Sequence, residues 1–352
     1  MAPETIRLMA VGDLMLGDSS HFLGRGVGSF IRRFGPHYPF EKVKDLLGEA
    51  DVFLGNLESP LAEAEGRNSW EKVYRGPAAA AAGLGLAPRT IMTLANNHIL
   101  EHGGAMLNET RALLDAAGIG HPGLSQDRSR DESVLRWSQD GLSFALISDS
   151  LIRDISGRPV DPEATEAWLL ESLGASDADV RIVSLHWGDE YVTTPSPEQR
   201  GLAHALVEAG ATLVLGHHPH VLQPVEEIGS SLVAYSLGNF LFDQDWTDQT
   251  RTGGILDLDI GRGGVTRWTF IPTLCGSNCQ PVLAPEKNSR LARAIIGDET
   301  RLEPWPYRRQ LAEAARRHRL RMKMELLGHL PRVKFDTLHF LLTKRRRPRP
   351  SS

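Results

Sequence analysis

Five short apolar runs each end directly before a block of acids, amides or histidines, and this pattern limits the possible folds more than any other feature of the chain. The runs are predicted β-strands and cover Ile6–Val11, Val52–Leu54, Ile91–Leu94, Val180–Leu185 and Thr212–Leu215. The blocks that follow them read Gly12-Asp13, Gly55-Asn56-Leu57-Glu58, Asn96-Asn97-His98, His186-Trp187-Gly188 and His217-His218-Pro219-His220. Open α/β folds bind ligands at the carboxyl ends of their strands. The pattern therefore predicts one metal centre, built from O and N donors, on the rim of a sheet.

Strand and helix patterns alternate through the first 220 residues, which is typical of an α/β fold. The predicted helices cover Glu41–Glu49, Ala78–Leu84, Gly104–Ala117, Pro162–Leu173 and Pro197–Ala209. Two predicted hairpins pair Val134–Trp137 with Leu142–Ser148, and Ile255–Ile260 with Val265–Ile271. The strands after Val225 are expected to be antiparallel and to complete a second sheet. Residues 19–39 are expected to form a loop over the site.

The chain divides by composition into three predicted parts. Residues 1–272 form one α/β domain, residues 273–306 an irregular, proline-rich connection, and residues 307–352 a basic helical extension with a disordered end. From residue 301 onward there are 15 Lys/Arg and 4 Asp/Glu, whereas the rest of the chain carries 24 basic and 40 acidic residues. The extension is interpreted either as a solvated helix or as a segment that contacts an acidic polymer or an anionic membrane surface.

Composition and cysteine content narrow the class of protein. Hydrophobic residues make up 41% of the chain, which is ordinary for a globular protein with a sizeable core. The sequence has no run of ~18 apolar residues and no secretory signal, so we expect a cytoplasmic protein, or one held at the inner membrane face by its basic extension. Its two cysteines, Cys275 and Cys279, are interpreted as free thiols, with a C-x3-C metal or redox pair as the alternative.

The first two blocks supply carboxylates and an amide. Asp13 is a candidate cation ligand, and the glycine before it permits a sharp turn of the backbone. Glu58 is a candidate to bind or bridge metals, and Asn56 is a candidate to form a hydrogen bond with a substrate. A structural turn at Asp13 and a helix or loop cap at Glu58 are the alternatives.

The block Asn96-Asn97-His98 is more specific, because two amides and an imidazole are costly to bury without partners. Asn97 is a candidate neutral oxygen ligand for a metal. His98 is placed for proton transfer, its usual task near neutral pH, and Glu101 is expected to orient the ring. A histidine with a purely structural role in the core is the alternative.

The block that begins at His186 combines a nitrogen donor with aromatic side chains. His186 is a candidate metal ligand because it ends an apolar strand in the company of the other blocks. Trp187 and Tyr191 are expected to wall a pocket, and Glu190 is expected to face the substrate.

The richest block contains three histidines within four residues: His217, His218 and His220. The spacing x-His-x-His lets two imidazoles converge on neighbouring metals. Asn239 closes a later apolar run, and by its chemistry alone it is interpreted as a turn residue.

Taken in order, the blocks resemble the motifs of the bacterial CapA family of capsule and poly-γ-glutamate synthesis proteins. The match spans about residues 6–271 and consists of Gly12–Gly17, Gly55–Pro60, Tyr74–Pro77, Leu94–Gly103, His186–Tyr191, Gly216–Val221 and Tyr235–Phe240. The basic extension lies outside it. That family is similar in turn to the calcineurin-like metallophosphoesterases.

The resemblance implies a four-layer αββα sandwich and a centre of one or two divalent cations, with Mn²⁺, Zn²⁺ or Fe as candidates. The metal ligands that it implies are Asp13, Glu58, Asn97, His186, His218 and His220. His98 takes the role of the acid that protonates the leaving group, with Glu101 beside it. The chain departs from the phosphoesterases at Met15, where they carry a histidine, and at Glu58, where they carry a bridging aspartate. Both departures are usual for the CapA group.

Two functions agree with this pattern. The first is a metal-dependent hydrolase that uses metal-activated water to cleave a phosphoester or a γ-glutamyl amide. The second is a non-catalytic component of a polymer synthesis or export machine that holds an anionic polymer in the metal cleft. The residues expected to contact the substrate are Asn56, Arg75, Asn96, Trp187, Glu190, Tyr191, His217 and Asn239. No specific nucleic-acid partner is expected, because the body is acidic and carries no recognised nucleic-acid module.

Overall fold

Two β-sheets lie face to face, with helices on their outer surfaces. The computed structural model describes residues 5–20, 22–64, 69–124, 130–153, 160–297, 307–314 and 316. Its strands are β1 Thr5–Leu14, β2 Val52–Leu57, β3 Leu61–Ala62, β4 Gly76–Pro77, β5 Arg89–Thr93, β6 Val134–Gln139, β7 Leu142–Ser150, β8 Val180–His186, β9 Leu213–His217, β10 Val225–Ile228, β11 Ser231–Ala234, β12 Asn239–Leu241, β13 Thr252–Gly261, β14 Gly264–Cys275 and β15 Pro281–Leu283.

The α-helices are α1 Val27–Phe34, α2 Lys44–Leu47, α3 Ser69–Lys72, α4 Gly104–Ala116, α5 Pro162–Gly174, α6 Pro197–Glu208, α7 Asp248–Arg251 and α8 Glu286–Ile296. Short 3-10 helices cover Tyr38–Phe40, Ala78–Gly83 and Asp131–Ser133, and a further helical stretch covers 307–314. None of the helices in the described ranges combines the length and the apolar character that crossing a membrane requires.

The first sheet has the strand order β15-β14-β13-β1-β2-β5, and β12 pairs with the end of β1. The second sheet has the order β10-β11-β9-β8-β7-β6. The strands β1, β2 and β5 run parallel to each other, as do β7, β8, β9 and β11. Both predicted hairpins are confirmed as the antiparallel pairs β6–β7 and β13–β14.

Alternation along β1 explains why the sheets stack in layers, because successive side chains of a strand point to opposite faces. Ile6 and Leu8 face the space between the two sheets, where they pack with residues of β8 and β9. Met9 and Val11 point the other way and pack under the helices of the first sheet. A third apolar layer joins the second sheet to α5 and α6. Three apolar layers between four layers of secondary structure confirm the predicted αββα sandwich.

The carboxyl ends of parallel strands from both sheets meet at one edge. In the first sheet, Asp13 of β1 is in register with Asn56 of β2 and with Asn239 of β12. In the second sheet, His186 of β8 lies beside His217 of β9. Such an edge is where α/β sheets bind ligands, and the fold brings the polar blocks of both sheets to it.

Three expectations about the connections were wrong. Residues 19–39 are not a loop, since they contain α1. The strands after Val225 are divided between the sheets: β10 and β11 extend the second, whereas β13 pairs along β1 in the first. The segment 273–306, expected to be irregular, contains β15 and α8, whose Ala292 and Ile295 pack in the layer between the sheets. The prolines near β15 and α8 led to the prediction of irregular structure, although the apolar residues of α8 have helical spacing.

The extension that begins at residue 307 is only partly described. Residues 307–314 are helical, in agreement with the start of the predicted helical extension. Apart from residue 316, the rest of that helix and the expected disordered end lie outside the described residues. The three-part division of the chain remains a prediction.

Candidate metal centre

Asp13 lies at the meeting point of both sheets because β1 is a central strand of the first. Its buried carboxylate accepts a hydrogen bond from Asn56 Nδ2 at 2.8 Å and one from the backbone N–H of His218 at 3.2 Å. Nδ1 of His220 lies 3.3 Å from Oδ2. Burial works in the opposite direction, but His220 and then His217 hold the pKa of Asp13 below its ordinary value. The carboxylate is therefore ionised at neutral pH.

Glu58 lies in the middle of the site and follows β2 directly. Its side chain is completely buried, and neither carboxylate oxygen has a hydrogen-bond partner among the described residues. Its Oε1 is 3.7 Å from Nε2 of His186, 3.8 Å from Nε2 of His220 and 4.0 Å from Nε2 of His98. Burial, and then the charge of Asp13, raise the pKa of Glu58 well above its ordinary value. Such a carboxylate is costly to bury, and a cation between it and the imidazoles would remove that cost.

His218 and His220 lie in a strained loop after β9. Their φ angles are 95° and 57°, in the left-handed region that costs a non-glycine residue about 1–3 kcal/mol. The two ring centroids are 5.8 Å apart. Nδ1 of His218 is buried without a hydrogen-bond partner in the described part of the chain, and Nδ1 of His220 lies 3.0 Å from Oδ1 of Asn239. Strain of this kind is typical of functional sites.

His186 ends β8 and connects the second sheet to the first. Its Nε2 lies 2.9 Å from Oδ1 of Asn97, its Nδ1 lies 3.4 Å from Nδ2 of Asn56, and its ring centroid is 4.7 Å from that of His218. Burial lowers the pKa of His186 well below its ordinary value and the pKa of His218 to about 4. Both imidazoles are therefore neutral at pH 7, and the neutral ring is the form that binds a metal.

His220 carries a different charge from the other two histidines. Burial disfavours its charged form, but Glu58 and Asp13 outweigh burial and raise the pKa of His220 to about 10. Its imidazolium stands where two buried carboxylates need positive charge. A divalent cation would meet the same need and release the proton.

Three overlapping sets of side chains have donor atoms close enough together to hold a metal ion. Within each set these atoms lie within 4.8 Å of one another, and the sets are Glu58/His186/His218, Asp13/Glu58/His220 and Glu190/His218/His220. Glu58 belongs to two sets, so it could bridge two cations. The unpartnered oxygens of Glu58 and the unpartnered ring nitrogen of His218 fit such ions, and mixed O and N donors suit Mn²⁺, Zn²⁺ or Fe.

His98 lies beside these sets rather than within them. Its Nδ1 is 2.8 Å from Oε2 of Glu101, and its Nε2 faces Glu58 at 4.0 Å. Asn96 Oδ1 accepts the backbone N–H groups of His98 and Ile99 at 3.2 and 2.9 Å, which holds this segment in place. One ring nitrogen is thus engaged by a carboxylate while the other faces the site, as a general acid requires.

Two aromatic residues near the site were missed as candidates in the sequence. The ring of Tyr74 lies 4.2 Å from that of His98, and Tyr74 has a φ of 57°. The ring of Trp246 lies 5.7 Å from that of Tyr191, which in turn lies 6.0 Å from His220. In the sequence, Tyr74 was noted only as part of a family motif. Trp246 follows the last motif, and no neighbouring residues marked it as part of a site.

Trp187 does not wall a pocket, contrary to the expectation. It is 1% exposed, and its Nε1 donates to the carbonyl oxygen of Tyr235 at 3.0 Å, in the apolar layer between the second sheet and its helices. Neighbouring residues at a strand end point to opposite faces. A chain that turns His186 into the site therefore turns Trp187 away from it.

Arg75, Asn56 and Asn96 are engaged by the protein itself. The guanidinium of Arg75 donates to the carbonyl oxygens of Ala64 and Glu71, so the structure does not place it among the donor atoms. Nδ2 of Asn96 donates to Oδ1 of Asn56 at 3.1 Å, and Nδ2 of Asn56 in turn donates to Asp13. These amides position the site, and a direct contact with substrate stays a prediction.

His217 and Asn239 also contact the candidate ligands. Nδ1 of the buried His217 lies 3.6 Å from Oδ1 of Asp13. Asn239 holds His220 through its Oδ1, while its Nδ2 donates to the carbonyl oxygen of Thr250 at 3.0 Å. Partners that orient a ligand in this way tune a metal site from outside.

The chain is similar to several known bacterial proteins. Residues 7–244, a range that contains all of the candidate ligands, match the family model described as Bacterial capsule synthesis protein PGA_cap. The chain is 27% identical over 319 residues to the capsule biosynthesis protein CapA of Bacillus anthracis, covering 86% of this chain and 75% of that protein. It is 29% identical over 281 residues to the PGA biosynthesis protein CapA of Bacillus subtilis (strain 168), covering 74% and 70%. The crystal structure of a phosphatase from Mycoplasma pneumoniae aligns over 85% of this chain and 99% of its own, at 11% identity and a TM-score of 0.46. The chain belongs to the bacterial capsule synthesis protein family PGA_cap.

Proposed function

We propose that this protein is a metal-dependent hydrolase that acts in the synthesis of a capsule or poly-γ-glutamate-type polymer, on a phosphoester or an amide. The family and the two CapA relatives support the biological setting. One observation above all supports the chemistry: the buried, unpartnered carboxylate of Glu58 has three imidazole nitrogens within 4.0 Å. That arrangement suits a ligand shared by two cations.

The proposed ligands form two groups that share Glu58: Asp13 and His220 in one, and Asn97, His186 and His218 in the other. When bound, divalent cations supply Lewis acidity at the scissile group and an activated water. The protein contributes a buried, well-held setting, because Asp13 accepts a hydrogen bond from Asn56 and His220 donates one to Oδ1 of Asn239.

His98 is the proposed general acid. Its Nδ1–H donates to Oε2 of Glu101 at 2.8 Å, which leaves Nε2 to give a proton to the leaving group as the scissile bond breaks. Glu101 fixes the plane of the ring through this contact. Tyr74, packed on the ring at 4.2 Å, limits its rotation.

The test begins with metal content, measured by plasma mass spectrometry on protein purified without a His-tag or a chelator. We expect one or two equivalents of a transition metal in the wild type and in His98→Ala, and loss of metal in the double variant His218→Ala/His220→Ala. His98→Ala should abolish turnover of phosphoesters and γ-glutamyl amides. If the wild type holds no metal even after reconstitution, the proposed metal centre is wrong. If His98→Ala is fully active, His98 is not the general acid.

A non-catalytic role in polymer assembly is the second candidate function. The names of both CapA relatives refer to biosynthesis and not to cleavage. In this case the cleft holds an anionic chain such as polyglutamate, the affinity falls with added salt, and metal-loaded protein turns over no ester or amide. Deleting residues 344–352 should then weaken association with polymer or membrane, whereas under the first function it should leave hydrolysis intact.

A further inference from the structure

Glu190 brings a further carboxylate to the metal centre from the solvent side. One of its carboxylate oxygens and one ring nitrogen each of His218 and His220 lie within 4.8 Å of one another. Glu190 is exposed, whereas both histidines are buried. It lies outside the ligand set that the family resemblance implies, although its distance from two proposed ligands is that of a ligand.

Backbone hydrogen bonds fix where Glu190 lies. On one side of it, the N–H of Trp187 donates to the carbonyl oxygen of His217 at 3.1 Å. On the other side, the N–H of Tyr191 donates to the carbonyl oxygen of Pro219 at 2.8 Å. The short segment that carries Glu190 is therefore tied at both ends to the histidine loop, so the fold holds the backbone of Glu190 beside the two rings.

A third carboxylate changes the charge that a substrate meets. Two divalent cations balanced by Asp13 and Glu58 would leave a net charge of about +2, and Glu190 lowers it to about +1. A phosphate dianion that approaches this face comes close to the carboxylate of Glu190, and like charges a few ångströms apart repel even at the protein surface. The neutral carbonyl group of an amide or carboxylic ester meets no such repulsion.

We infer that Glu190 is an outer ligand of the metal centre, beside His218 and His220, and that it selects neutral carbonyl substrates against phosphate dianions. This inference rests on the proposed metal-dependent hydrolase and narrows its substrate class to amides and esters of carboxylic acids. The role of Glu190 would be to hold a cation and to set the charge of the site, so it adds no covalent step to the reaction.

The test compares the full-length wild type with Glu190→Gln, using Mn²⁺ and inorganic phosphate as probes. Calorimetry on metal-free protein should show that the variant binds Mn²⁺ about tenfold more weakly or worse, as for loss of a supporting ligand. Calorimetry on Mn²⁺-loaded protein, at Mn²⁺ concentrations that saturate both forms, should show about tenfold tighter binding of phosphate, because one repelling charge is gone. Glu198→Gln is the matched control: it removes the same charge from an exposed position of α6 outside the donor sets and should change neither affinity.

The outcomes separate this inference from the proposed function. A wild type that binds no Mn²⁺ overturns both. A wild type that binds Mn²⁺, with Glu190→Gln equal to it in both affinities, overturns the role of Glu190 alone. Weaker binding of Mn²⁺ with unchanged binding of phosphate overturns the selection against phosphate.

Discussion

Glu101 is the side chain that most directly controls the orientation of His98, through the contact of 2.8 Å to Nδ1. Glu101→Gln keeps the shape of the side chain but removes the negative charge that faces Nδ1 of His98. We expect kcat to fall about 10- to 100-fold, as for other orienting partners, with metal content unchanged. Asp115→Asn, at a 72% exposed carboxylate on α4, is the control and should match the wild type. An unchanged kcat in Glu101→Gln would remove this carboxylate from the mechanism.

Asp243 is a buried acid outside the metal donor sets, and it makes stability depend on pH. Its Oδ2 accepts the backbone N–H of Ser19 at 2.8 Å, while Oδ1 has no hydrogen-bond partner among the described residues. Burial, with a further contribution from Asp18, raises the pKa of Asp243 to about 7. Between pH 4 and 7 the folded chain keeps a proton that the unfolded chain releases. The stability from this group is therefore complete at low pH and is lost as pH rises through about 7, by up to about 4 kcal/mol.

Asp243→Asn should remove that pH dependence. The neutral amide still offers an oxygen to Ser19 and carries no charge to bury, so the variant should be more stable than the wild type at pH 8 and similar to it at pH 4. Thermal unfolding midpoints measured from pH 4 to 8 provide the check. Parallel curves for the two proteins would mean that Asp243 is ionised across the whole range.

At the scale of elements, the end of β1 can carry Asp13 only because the residue before it is a glycine. A Cβ on Gly12 would lie 1.8 Å from the carbonyl oxygen of Gly238, just before β12. Gly12→Ala should therefore destabilise the fold by about 1–3 kcal/mol or more and lower metal affinity by displacing Asp13. Gly201→Ala, in α6 where a Cβ meets nothing within 4 Å, should instead stabilise by about 0.5–1 kcal/mol. Denaturant unfolding of both variants tests the contrast, and equal stabilities would contradict it.

Elements with a local start signal were predictable from the sequence. The helices α5 and α6 each begin with a proline after a capping residue, Asp161 and Ser196, whose side chains accept backbone N–H groups. By contrast, α1 begins at Val27 after Gly26, which provides no side-chain cap, and the region was expected to be a loop. The helix α8 likewise lacks a side-chain cap, and its stability comes from packing on the sheets.

At the scale of the whole molecule, the C-terminal stretch 307–314 contacts the segment that carries Glu190. The hydroxyl of Tyr307 donates to the carboxylate of Asp189, and Thr193 lies 3.5 Å from the side-chain oxygen of Gln310. A hydrogen bond to a charged group contributes about 1.5–3 kcal/mol. The segment 189–193, here called the rim of the metal centre, is therefore stabilised by residues that lie far from it in the chain.

Tyr307→Phe should loosen that rim while the sandwich stays intact. Hydrogen exchange of the amides at 189–193 should become about tenfold faster or more, since the loss of about 1.5 kcal/mol favours local opening. The amides of β1 should be unaffected. Arg309→Gln, at a 76% exposed side chain, is the control. Exchange at the wild-type rate in Tyr307→Phe would show that this contact does not hold the rim.

The sequence by itself determined the kinds of donor and their places at strand ends. A strand is recognised from a few neighbouring residues, and so is the polar block at its end, as for Asp13 near the end of β1 and His186 at the end of β8. The order of these blocks also carried the resemblance that the family model confirmed. The alternation along a strand and the polar residues at its end involve only neighbouring residues, so both can be recognised from the sequence.

Only the tertiary structure decided which donors meet. The stacking of the two sheets brings Glu58 within 4.0 Å of imidazoles from the second sheet, turns Trp187 into the core, and draws β13 into the first sheet. It also brings the exposed Glu190 beside His218. These outcomes depend on contacts between residues far apart in the chain and on left-handed backbone at a few positions. No local pattern encodes either of them, because the free energy that selects them comes from packing two sheets together.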